Sequence, residues 1–159
     1  MTRQRFEIEP GALPWFPNHP TTTFEVEYDR YDRPLMGVVR QRDVDFLFRC
    51  ISGELEQFSV WKYVALDQID RELLDSVAGD RFAETAASAL TGGGTLAVSL
   101  AGYGLVASCW YPGPLVASDD AMRDLMGQVD RFLDGMRDGF DSERQRLSQR
   151  ATAPLAAAR

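Results

Sequence analysis

The sequence predicts an α+β fold: an antiparallel sheet of about six strands, arranged as a β-meander, two helices and a β-hairpin, with a long C-terminal amphipathic helix packed on it. Three observations carry this expectation. Between residues 22 and 65 apolar and polar residues alternate and the connections are short, as in strands that pair with their neighbours in sequence. From Ile69 to Leu90 the apolar spacing changes to every fourth residue. From Met122 to Phe140 a single apolar stripe runs for about five helical turns.

Taken in order, residues 3–9 alternate Phe6 and Ile8 with charged residues, the pattern of a short strand with one wet face. Pro10, Pro14, Pro17 and Pro20 then forbid helix and favour an extended arm, whose Leu13, Trp15 and Phe16 need a surface to pack on. Residues 22–30 read as a strand with Phe24, Val26 and Tyr28 on one side and Glu25, Glu27 and Asp29 on the other. A turn at 31–34 leads to a second strand at 35–40, and a tight polar connection from Arg40 to Asp43 leads to a third bearing Val44, Phe46, Phe48 and Cys50. Residues 57–65 form a fourth, with Trp61 and Tyr63 opposite Phe58, Val60 and Val64.

Asp67 is the expected N-cap of a helix with Ile69, Leu73 and Val77 on one stripe, and Gly79 its expected stop. Asp80 is placed to cap a second helix with Phe82, Ala86 and Leu90 on one face, ended by Gly92-Gly93-Gly94. Strands follow at 95–101 and 104–110, joined by a hairpin turn at Gly102-Tyr103-Gly104. Ser118, followed by Asp119 and Asp120, suits the positive end of the last helix. Beyond Phe140 the stripe fades. The expected organisation is a strand and arm over 1–20, one domain over 21–141 and a frayed tail over 142–159.

A chain of 159 residues buries roughly 70% of its unfolded surface, enough for a core without staples. A net charge of −7 disfavours nucleic acid, whose binders show a basic face. Lys62 is the sole lysine among 17 basic residues, and with the many Ala and Gly this points to a GC-rich, bacterial coding bias. Cys50 and Cys109 both lie in apolar strands and are expected as free thiols. No basic start precedes an apolar run, and no run approaches the ~18 apolar residues of a membrane span, so the expectation is a cytoplasmic protein with no membrane partner.

Chemistry is sparse. His19, the one histidine, lies in the proline-rich arm with no nucleophile beside it. One histidine and two distant cysteines do not make a zinc site. Glu25, Glu27 and Asp29, or Asp43 and Asp45, are oxygen ligands in type, but their spacing reads as a solvated sheet face. Gly92-Gly93-Gly94-Thr95 follows a helix and opens a strand, the reverse of a phosphate loop. The residues predicted to bind are aromatic: Trp15, Phe16, Trp61, Tyr63, Trp110 and Tyr111. No catalytic residue, metal or cofactor is predicted.

Residues 28–74 resemble a group of small bacterial domains of no established biochemistry. The likeness rests on a Tyr-Asp-x-Pro turn (Tyr31, Asp32, Pro34), the Phe46-Leu47-Phe48 strand, a Trp-x-Tyr strand (Trp61, Tyr63) and a helix with Leu73 and Leu74. It implies a β-rich start followed by helices, and no site. The function expected is a non-catalytic interaction or regulatory module, similar in size and charge to small acidic secretion chaperones. It would engage a basic protein partner, or a second copy through the 10–20 arm or the Trp61 and Tyr63 face. The alternatives are a small enzyme using Glu25, Glu27, Asp29 and Asp32 with Tyr28 or Tyr31, and a sensor with a pocket lined by Trp61, Tyr63 or Trp110.

Overall fold

In the computed structural model of the chain, residues 5–6, 8, 22–31, 33–53, 57–114 and 117–152 are described. The arm with Trp15, Phe16 and His19, and Asp32 with its proposed turn role, lie outside them. The elements run β1 (Thr22–Tyr31), β2 (Arg33–Gln41), β3 (Val44–Ser52), β4 (Phe58–Leu66), α1 (Gln68–Ser76), α2 (Gly79–Leu90), β5 (Gly94–Leu100), β6 (Gly104–Tyr111) and α3 (Asp119–Thr152). The strands form one antiparallel sheet in sequence order, β1 to β6, so the predicted α+β architecture is the observed one. Each hairpin closes locally. The helix pair between β4 and β5 returns the chain to the strand beside the one it left.

All three helices pack on one face of the sheet. Under α1 and α2 lie Val38, Leu47, Val64, Leu66, Leu74, Ala86 and Leu90; under α3 lie Val60, Leu96, Val98, Ala107, Tyr111, Leu125 and Val129. The opposite face carries Val39, Phe46, Phe48, Cys50, Trp61, Tyr63, Ala97 and Leu105, with Phe6 and Ile8 packed onto it. Gly37 and Gly94 allow the strands to close up: a Cβ on Gly37 would collide with the Val26 carbonyl oxygen, and one on Gly94 with the Tyr63 carbonyl oxygen.

Four sequence expectations change. Phe24 packs with Val39 on the outer face, whereas Val26 and Tyr28 pack under the helices, because the register slips between Phe24 and Val26. A bulge inserts one residue and reverses the alternation after it, so the three do not share a side. Phe6 and Ile8 carry no strand. Phe6 lies flat on Tyr63 of β4, centroids 4.1 Å apart and planes 9° apart, over an interior strand whose backbone is already paired on both sides. Ile69 is 76% exposed and Leu73 46%, and Leu74 is the buried anchor of α1. At 100° per residue the burying face is therefore turned away from the 69/73/77 stripe. Finally, α3 does not fray at 142 but continues to Thr152. Residues 141–150 hold good helix formers (Glu, Arg, Gln, Leu) and a Glu143–Arg146 pair at 2.6 Å, which hold the helix without an apolar stripe.

Two of the three expected N-caps held. Asp67 accepts the Asp70 amide at 2.7 Å, and Ser118 accepts that of Ala121 at 3.2 Å. Asp80 lies in the first turn of α2 rather than at its cap, which is Ala78. The Gly102-Tyr103-Gly104 turn puts both glycines at positive φ, 82° and 76°.

The β2–β3 turn achieves the same reversal with two non-glycine residues, Arg42 (φ 47°) and Asp43 (φ 66°). Positive φ at both central positions is the geometry Asn-Gly adopts at low cost. Arg42→Asn with Asp43→Gly is expected to stabilise the fold by about 1 kcal/mol in urea denaturation. A loss of stability would mean the side chains removed contribute more than the backbone strain relieved.

Candidate functional site

The predicted binding aromatics do not form one site. Trp61 and Tyr63 are fully buried on the outer face, Trp61 donating from Nε1 to Ser99 Oγ at 2.9 Å. Trp110 is half-buried on the same side, with the Arg5 guanidinium 5.4 Å from its ring centroid. Tyr111 lies on the helical face against Lys62. Nor do the suspected enzyme residues converge. Glu27 is paired with Arg30 at 2.6 Å, Glu25 lies 3.8 Å from Arg40, and Tyr28 reaches Asp75 at 3.4 Å. Burial and the Asp75 charge push the Tyr28 hydroxyl above its ordinary pKa, the wrong direction for a base at neutral pH.

The cysteines are free and on opposite faces of the sheet. Burial and Asp124 raise the Cys109 thiol, so it is poor in thiolate. The Tyr63 hydroxyl is buried with no hydrogen-bond partner among the described residues, and desolvation raises its pKa well above the usual value. No group of three or more His, Cys, Asp or Glu among the described residues is placed to hold a metal ion. None of the described helices is long and apolar enough to cross a membrane.

What does converge is a cleft of about 890 Å³ at one end of the sheet. The β2–β3 turn supplies Asp43 and the start of β3 Asp45; the end of β4 supplies Val64 to Leu66; the α1 cap supplies Asp67, and α1 itself Asp70, Leu73 and Leu74; α2 supplies Glu84, Thr85, Ser88 and Ala89. The floor is apolar because β4 and the two helices present core side chains there. The rim is acidic for local reasons. Asp67 is the α1 cap and Asp70 stands in the first turn, both favoured at the positive helix end, and Asp43 holds a turn position.

Among the described residues only one of these carboxylates is neutralised. Asp45 takes Arg40 at 2.9 Å and Arg71 at 3.3 Å, an arrangement that pins α1 to β3. Asp43, Asp67, Asp70 and Glu84 make no ion pair among the described residues. Burial, then the neighbouring Asp67 charge, raise the pKa of Asp70, so the cleft resists further negative charge and favours a cation. The sequence showed the caps and the turn, but not that the chain brings them around one hollow.

Neither a family model, nor a curated protein, nor a solved structure matches the chain. The reading of the site therefore rests on its own chemistry.

Proposed function

We propose that the chain is a non-catalytic protein-interaction module whose cleft takes a basic segment with an apolar stripe, a chaperone-like way of holding part of another protein. The observation that carries this reading is the combination in one hollow: an apolar floor at Leu73, Leu74 and Val64 beneath unpaired carboxylates at Asp67, Asp70 and Glu84. The floor rewards burial of aliphatic or aromatic side chains at roughly 25 cal/mol per Å². The carboxylates select arginine or lysine beside them and speed the encounter with a basic partner. An amphipathic helix offers both, its anchors at i, i+3, i+4 and i+7. The formal charge of −7 extends the same bias over the whole molecule.

A labelled helical peptide with Leu and Arg on one face tests the reading by fluorescence anisotropy. The expected result is a dissociation constant of roughly 1–10 µM, weakened at least about tenfold by Asp70→Lys with Glu84→Lys. Equal affinity for a peptide carrying Glu in place of Arg, or no effect of the double substitution, would overturn it.

A further inference from the structure

α3 is longer than the sheet it packs on. It runs antiparallel to β6. Gln128 clamps the strand at mid-length, its Nε2 donating to the Ser108 oxygen at 2.7 Å and its Oε1 accepting the Ser108 amide at 3.0 Å. Phe132 meets Tyr103, in the β5–β6 turn, with centroids 5.9 Å apart. That turn is the far end of the sheet from the cleft, because Leu100 pairs with Phe58 at the start of β4 whereas the cleft takes its floor from the end of β4. Leu133 still packs on the sheet and Met136 is half-buried; past Met136 the helix leaves the body and projects for about sixteen residues, roughly 24 Å.

The projecting part is not a plain solvated helix. Phe140 is 70% exposed and Leu147 54%, and the two are seven residues apart, on one face. Arg137 and Arg144 flank them at i−3 and i+4 from Phe140, on that face. Neither arginine makes an ion pair among the described residues. This is the chemistry the cleft lacks: aromatic and aliphatic anchors with unpaired cations, against an apolar floor with unpaired carboxylates.

Resting on the reading of the cleft given above, we infer that the projecting end of α3 docks in the cleft of a second copy of the chain. The protein's own helix cannot fill its own cleft, since α3 is continuous and leaves from the opposite end of the sheet. Two copies side by side and antiparallel place each projecting end beside the other's cleft. The contact is then made twice about a two-fold axis and closes as a dimer. The dimer stores the cleft in an occupied state, and a client with a stronger basic stripe enters by displacing the helix.

Charge exchange tests this. One variant carries Asp70→Lys and Glu84→Lys in the cleft; the other carries Arg137→Glu and Arg144→Glu on the helix. Light scattering after size exclusion, at about 50 µM protein, well above a micromolar dissociation constant, reads the mass. The wild-type chain is expected as a dimer and each variant as a monomer. Their equimolar mixture is expected as a dimer, because the mixed pair restores one native contact and one charge-reversed contact. Cooperative thermal melting of both variants establishes that they fold, and Arg137→Lys with Arg144→Lys is expected to remain dimeric. A monomeric wild type, variants that stay dimeric, or folded variants that do not rescue each other would each overturn the inference. Peptide binding that survives such a result would remove the second copy as occupant and leave the interaction module standing; loss of peptide binding as well would remove both.

Discussion

Trp61→Ala is expected to cost about 3–5 kcal/mol of stability, measured as a shift of the urea midpoint at constant slope. Trp61 is wholly inaccessible, on an interior strand, with Phe48 6.2 Å away and the Arg33 guanidinium 5.6 Å above its ring. Truncation opens a cavity the size of an indole in a sheet that cannot collapse, because β3 and β5 hold β4 in register on both sides. It also leaves the hydroxyl of Ser99, itself 4% exposed, without the indole donor. Trp61→Phe keeps much of the volume and should lose only about 1–2 kcal/mol. The pair of results bears on function as well as stability. A loss below about 1 kcal/mol for Trp61→Ala would mean that the face opens in solution, and Trp61 would regain the docking role that the sequence suggested.

The contrast between Trp61 and Leu73 shows what a single sequence discloses. Elements with local causes were legible: the Asp67 and Ser118 caps, the two-glycine hairpin turn, and the alternation through β3 and β4 all follow from neighbours a few residues apart. What failed was the assignment of faces. A bulge near Glu25 reverses the alternation in β1 without any glycine to announce it. On α1 the stripe at Ile69 and Leu73 is periodic yet lies off the core, Ile69 in solvent and Leu73 at the cleft, because a short helix lying across a sheet end needs only Leu74 as its anchor. The aromatic residues looked like docking surface because an indole beside a phenol is common there, and the same rings are equally suited to a core. The cleft was invisible for a different reason. Its carboxylates each have a separate local purpose, and only the return of α2 beside the β2–β3 turn gathers them.

Lys62→Met is expected to stabilise the protein by about 1–2 kcal/mol at neutral pH. Lys62 is the chain's sole lysine and is completely inaccessible, on the helical face of β4 between Leu96 on β5 and Arg49 on β3. Its Nζ donates to the Gly113 carbonyl oxygen at 2.6 Å and lies 5.4 Å from the Tyr111 ring centroid. No carboxylate pairs with it among the described residues. One carbonyl and one ring face replace only part of an ammonium's hydration, so desolvation lowers its pKa. The sign of the linkage follows. In the unfolded chain the lysine titrates near 10.4; in the folded chain it releases its proton earlier. Between those two values the unfolded state binds more protons, so stability rises with pH across that window, and below it the buried charge is a constant cost. Urea denaturation from pH 7 to pH 10 should therefore show Lys62→Met starting higher and its lead over the wild type narrowing towards the alkaline end, the raised Cys109 thiol lowering both proteins alike. Above pH 10 the buried Tyr63, whose pKa is raised, lowers the stability of both proteins further, because the unfolded chain then loses tyrosine protons first. A methionine variant less stable than the wild type at pH 7 would show that the carbonyl and the Tyr111 ring together outweigh the desolvation, and that Lys62 fastens the Gly113 loop to the sheet as a charged clamp.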